Sequence, residues 1–274
     1  MSFNKHFLKG VADKSRSAFH IPNAYAAAVA KAYPERFAWC ASIHPYRLDG
    51  PQELEQAKID GALAVKWLPQ AMGINPASPL CDRFYKSLVK HNIPLICHTG
   101  EEKAVHGGGG QELGNPLKLR RALDHGVRVI VAHCASMGED IDLDAGLNGP
   151  IRPSFDLFTR LMDEDNYKEL LFGGISATVL VNRSQEVLAR LLDRTDWHSR
   201  LLNGSDYPLP GVKPVIWPGR LAQWGYLDET AVPVLKEIRE YNPLLFDFVL
   251  KRSLNNNGKK FGPKVFETAS FFQT

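Results

Sequence analysis

No stretch of this 274-residue chain approaches the ~20 consecutive apolar residues of a membrane-spanning helix, so a membrane span is excluded. Neither sign of charge is in surplus. Lys plus Arg number 33 against 30 for Asp plus Glu, a net charge of +3, which leaves no footprint for nucleic acid or an anionic membrane surface. Cysteine is scarce: Cys40, Cys81, Cys97 and Cys134 sit in apolar surroundings without CxxC spacing. They read as reduced thiols of a cytoplasmic protein rather than a disulfide frame. A GxSxG elbow is missing, so nothing supports a serine hydrolase. The glycine run in VHGGGGQELGNP (105–116) lacks the GK[ST] ending of a phosphate loop, and suits either a mobile active-site loop or a disordered tip. The opening residues, MSFNKHFLKGVADKSRS, are basic but carry no apolar stretch, which predicts a frayed surface segment and no secretory signal.

What is present suffices for a core. At 44% hydrophobic the chain can bury one large domain over 1–274, with an irregular segment at 1–22 and a tail at 255–274. Beyond residue 36 one pattern recurs. Short apolar runs end on polar residues: FAWCASIH (37–44), ALAVKWLP (62–69), PLICHTGE (94–101), VRVIVAHCAS (127–136), ELLFGGISAT (169–178) and RLLNGSDYP (200–208). Between them lie stretches of helical periodicity such as PQELEQAKIDG, PLCDRFYKSLVKHN and SQEVLARLLDR. Strands that alternate with helices predict a parallel sheet, and strands apolar at nearly every position predict burial on both faces. Six such units suit a (β/α) barrel. A doubly wound sheet is the alternative, but no GxGxxG follows the first strand.

The polar residues fall at one place in every unit. His44, Lys66, His98, His133 and Asp206 each end a strand run, and in a parallel barrel all those ends open onto the face where active sites are built. His98 and His133 recur at matching positions one unit apart, as zinc-type ligands or as core histidines bonded to backbone. Asp206 reads as a metal ligand or general base, since Pro208 and Pro210 disfavour the alternative of a helix cap. Lys66 either binds a substrate carboxylate, carries a carboxyl group that bridges two metals, or snorkels to the rim. His44 is open to substrate contact or to packing. Glu101 and Glu102 follow His98 closely, to contact substrate, to bond a ligand histidine, or to form a solvated loop.

Taken together, SIHPYR, AVKWLP, CHTGEE, VIVAHCAS, GISA, NGSDYPLP and YNPLLFDFVLKR resemble the amidohydrolase superfamily in its "amidohydrolase 2" branch, over residues 23–254. The resemblance implies an α/β fold of the (β/α)8 TIM-barrel type and a divalent metal ion, usually zinc. It implies hydrolysis of a C–N or C–O bond (amide, lactone or ester) in a small organic acid. A related branch, similar to aminocarboxymuconate-semialdehyde decarboxylase, removes carbon dioxide instead. By position His98 would be a metal ligand, His133 a ligand or polarising catalytic residue, and Asp206 a ligand and general base. Lys66 would take the family's lysine position. The family's first strand ends in His-x-His, which this chain lacks; His6 and His20 stand alone. The resemblance therefore predicts an incomplete barrel, about six strands of eight with the N-terminal ones missing. Its open sheet edges would invite a homo-oligomer. A catalytically impaired remnant serving as a partner subunit is a further reading.

Overall fold

The computed structural model describes residues 7–8, 11–12, 21–105 and 110–273. The chain forms two compact units, Met1–Phe172 and Gly173–Thr274. In the first, four strands pair in parallel and in chain order: β1 (Trp39–Ala41), β2 (Ala62–Trp67), β3 (Leu95–His98) and β4 (Val129–Ala132). Helices separate them, as parallel pairing requires: α1 (Asn23–Ala32) precedes β1, then come α2 (Gly50–Ile59), α3 (Asp82–Lys90) and α4 (Arg120–Asp124). A fifth helix, α5 (Ser154–Asp163), follows β4. Each of these four parallel strands lies inside one of the apolar runs and is shorter than it.

The packing follows from the pattern. In β2, Ala62, Ala64, Val65 and Trp67 are buried, so both faces of the strand are covered. Trp67 stacks on Phe84 of α3 at 5.6 Å, and its indole nitrogen donates to the Ile43 carbonyl at 2.8 Å. A large ring thus fills the layer between sheet and helix without leaving its polar atom unpaired.

Strand β5 (Leu171–Gly174) begins in the first unit and ends in the second. In the second unit its Gly173 and Gly174 pair in parallel with Leu201 and Leu202, which form β6 (Leu201–Leu202). Helix α6 (Gln185–Asp193) makes the crossover; the Ser184 hydroxyl caps it by accepting from the Val187 amide, and Val187, Leu188, Leu191 and Leu192 form its buried face. The longer helices that follow are α7 (Ala231–Tyr241) and α8 (Pro243–Ser253). Asn242 caps α8 through the Leu245 amide, and Pro243 opens it.

Three features depart from the sequence reading. Within 1–22, where no strand is expected, Phe7–Leu8 pairs antiparallel with Val11–Ala12; His6 and His20 lie outside the described residues. An antiparallel pair, Glu139–Ile141 with Ile151–Pro153, is inserted after β4. The free side of β1 is also less open than expected. At Ser42, just past the strand, the Asn23 side-chain amide donates to the carbonyl at 3.2 Å and accepts from the amide at 3.0 Å. A side chain from α1 thereby satisfies at that residue the two groups an adjacent strand would pair. Among the described residues no helix is long and apolar enough to cross a membrane.

Candidate functional site

In the first unit the loops that leave the C-terminal ends of β1 to β4 are bonded each to the next. His44 Nε2 lies 3.0 Å from the Met72 carbonyl, Gln70 Nε2 donates to the Gly100 carbonyl at 2.6 Å, and the Glu101 amide donates to the Met137 carbonyl at 2.8 Å. Two glycines make the last contact possible. A Cβ on Gly100 (φ 77°) would fall 2.3 Å from the Met137 carbonyl oxygen, and one on Gly138 (φ 89°) 2.5 Å from the Glu101 Cβ. The rim is therefore a held surface rather than a set of separate loops.

His98 ends β3 and is 8% exposed. The His133 ring stands edge-on to it, with centroids 5.3 Å apart and planes at 67°. Glu102 Oε2 lies 3.4 Å from His98 Nε2, with the Glu101 carbonyl oxygen at the same distance. The Glu102 carboxylate also accepts from the Ala104 and Val105 amides, and the Gln111 side chain bonds both the amide and the carbonyl of Glu102. One carboxylate thus anchors the base of the glycine-rich loop and faces a strand-end imidazole. Residues 106–109 of that loop lie outside the described residues.

Backbone strain recurs just past the strands of each unit. Seven described residues other than glycine have positive φ; Asn92 and Asn257 are asparagines, which tolerate that region. The other five all follow the ends of parallel strands: His133, Cys134 and Ala135 after β4, Ala177 after β5 and Asp206 after β6. A left-handed residue with a Cβ costs roughly 1–2 kcal/mol, so the turn at 133–135 stores roughly 3–6 kcal/mol. Strain of this kind persists where surrounding structure overrides it, and it clusters at functional sites.

The remaining candidates divide. Lys66 is buried and pairs with Ile96 in register, so by alternation it shares a sheet face with Ile96 and His98. Glu101 pairs with Lys103 at 3.0 Å and is partly exposed. His44 is held by backbone, as the packing alternative of the two expects. It is 1% exposed; Nε2 donates to the Met72 carbonyl, and Nδ1 accepts from the Tyr46 amide at 3.2 Å. With both nitrogens engaged by backbone, it ties two turns together. Asp206 belongs to the second unit, in a turn held from below: the Asn203 amide donates to the Val265 carbonyl, and the Asn203 carbonyl accepts from the Thr268 hydroxyl.

Sequence reasoning missed three polar groups on the first unit's rim. Gln70 Oε1, Thr99 Oγ1 and Ser136 Oγ are buried without a hydrogen-bond partner, and buried oxygens seldom go unpaired. For two of them the signal was a hydroxyl one or three places after a strand-end histidine, in HTG and HCAS; Gln70 in WLPQAM gave none. Beside them a cleft of about 440 Å³ is lined by Gly100, Glu101, Gln111, Gly138, Glu139 and Asp140. Burial lifts the Asp140 carboxyl to about 6, against the opposing pull of the Ser154 hydroxyl and the Lys118 charge.

The amidohydrolase family model matches residues 5–224, and the chain belongs to that family. No curated protein matches the sequence. Among solved structures, an uncharacterised TIM-barrel protein from Bordetella bronchiseptica is similar at 17% identity and TM-score 0.54, over 84% of this chain and 74% of that one. A candidate 2-pyrone-4,6-dicarboxylic acid hydrolase from Pseudomonas putida is similar at 12% identity and TM-score 0.50, over 91% and 76%. A 2,6-dihydroxybenzoate decarboxylase from Rhizobium, at 14% identity and TM-score 0.45 over 73% and 72%, is too distant a likeness to bear on the site. The first two likenesses, with the family match, establish the α/β fold of TIM-barrel type.

The family is metal-dependent. His98 Nε2 and Glu102 Oε2, at 3.4 Å, are spaced as two ligands of one tetrahedral ion, for which bonds near 2 Å give roughly 3.3 Å. No third donor among the described residues joins them. Among the described residues no group of three or more His, Cys, Asp or Glu is placed to hold a metal ion. As described, the residues do not fit a complete metal centre.

Proposed function

We propose that the chain hydrolyses a C–N or C–O bond, in an amide, lactone or ester of a small organic acid. The observation that carries this reading is the edge-on pair of His98 and His133, held by a strained turn on a bonded rim, in a chain of the amidohydrolase family. Glu102 beside His98 Nε2 orients that ring at the edge of the carbonyl oxygen of the acid. His133 polarises the same oxygen. Asp206, in the second unit, is the residue whose place in the resemblance implies the general base. Thr99, Ser136 and Gln70 offer their unpaired oxygens to the polar groups of the acid.

One observation favours a second reading. The lack of a three-donor group among the described residues suits a relative whose chemistry is silent and which serves as a partner subunit. A panel of lactones, esters and amides of small organic acids, 2-pyrone-4,6-dicarboxylate among them, separates the possibilities. A product heavier by one water supports hydrolysis. Release of carbon dioxide from the same panel overturns it in favour of decarboxylation, and no turnover across the panel favours the silent subunit.

A further inference from the structure

The second unit holds a charge pair that no step above uses. Lys251 and Asp247, one turn apart on α8, form an ion pair at 2.7 Å with side chains 0% and 2% exposed. Two charges taken fully out of water are costly, and a pair of apolar residues in their place is often neutral or stabilising. Stability alone is therefore a poor reason for them. Their further contacts point elsewhere. The Lys251 ammonium also donates to the Gly204 carbonyl at 2.7 Å, 47 residues away in sequence. Gly204 lies two residues before Asp206, in the turn whose Asn203 is already fixed through Val265 and Thr268. Asp247 Oδ1 has no hydrogen-bond partner, so Asp247 spends its one bond on the lysine. The charge of Asp206 is also close enough to act on both members of the pair.

We propose that Lys251 is a positioning residue for Asp206: oriented by Asp247, its ammonium pins the Gly204 carbonyl and so fixes the turn that presents the carboxylate. The catalytic part of this inference rests on the reading of Asp206 as the general base. The turn supplies the reason for a pin. Asp206 has φ 55°, a left-handed conformation that an aspartate adopts at less cost than most residues but still outside the main allowed regions, and outside bonds help the turn to keep it. Asn203 is held at both backbone groups, but the Gly204 carbonyl is held by the lysine. Without that bond the strained residue is free to relax.

The test uses the full chain and three variants: Lys251→Met, and two in which both charges are lost, D247L/K251M and D247N/K251M. The single variant leaves Asp247 buried and unpaired and should melt well below wild type. At least one double variant should recover most of that loss, because no buried charge remains. Hydrogen exchange over residues 203–207 should nevertheless stay at least tenfold faster than in wild type in the recovered variant. Its kcat for the hydrolysis should fall at least tenfold with KM within twofold. Recovery of melting temperature together with wild-type exchange makes the pair merely structural and overturns the proposal. Failure of both double variants to recover also overturns it, since the pair would then be needed for folding itself. Fast exchange with unchanged kcat leaves the pin standing and removes Asp206 from the reaction.

Discussion

His133 meets His98 edge to face, ring centres 5.3 Å apart, from the first residue of a left-handed turn in which His133, Cys134 and Ala135 have φ of 58°, 51° and 49°. A glycine at the last position would carry no Cβ to strain. Ala135→Gly should therefore raise stability by about 0.5–1 kcal/mol, the strain released less the added freedom of the unfolded chain. Thermal unfolding checks it, with a rise of a few degrees expected. A fall of that size would mean that the turn is not strained. The same variant should turn over more slowly, because a relaxed turn no longer holds His133 against its partner.

Asp140 predicts a pH dependence. Its folded carboxyl titrates at about 6, above the ~3.9 of an unfolded aspartate. Between those values the folded chain keeps a proton that the unfolded chain has lost, so stability from this residue falls as pH rises from about 4 to about 6. Asp140→Asn removes the titration and keeps an acceptor for the Ser154 hydroxyl, which Asp140 now holds at 2.7 Å. Relative to wild type, the variant should gain about 1–2 kcal/mol between pH 4 and pH 7, after a discount for solvent at the cleft. Urea unfolding at the two pH values measures the difference; parallel curves would contradict it.

Lys66 lies level with Ile96 and on the face of His98. Lys66→Met keeps the length and apolar stem of the side chain and removes its charge. The fold should survive, by circular dichroism, and turnover should fall about 100-fold or more. Wild-type turnover in the variant would reduce Lys66 to a packing residue whose head group reaches solvent.

Metal binding should be weak. Affinity arises from simultaneous ligation, and two donors at 3.4 Å, with no third among the described residues, give little of it. After incubation with excess zinc or manganese and gel filtration, elemental mass spectrometry should find well under one ion per chain. One retained ion per chain, lost in His98→Ala, would mean that a further donor closes the site.

How far the sequence could be read depended on range. All six parallel strands lie inside the apolar runs because burial on both faces leaves an unbroken apolar signal, as in Ala62–Trp67. The pair Glu139–Ile141 and Ile151–Pro153 gave no such signal, since its residues are largely charged or exposed. His98 and His133 were legible from their matching places. The role of His44 was not, because its partner, the Met72 carbonyl, is 28 residues away. Lys251 was hidden for another reason. An Asp and a Lys four apart on a helix look like an ordinary exposed pair until burial is known.

The account stands most directly on hydrolysis in ¹⁸O-labelled water by the wild-type chain, His98→Ala and His133→Ala. It predicts one labelled oxygen in each product molecule. It also predicts a loss of about 10²–10⁴ in kcat/KM for either variant, with circular dichroism unchanged. Unlabelled product with release of carbon dioxide, or variants that match the wild-type rate, would contradict it.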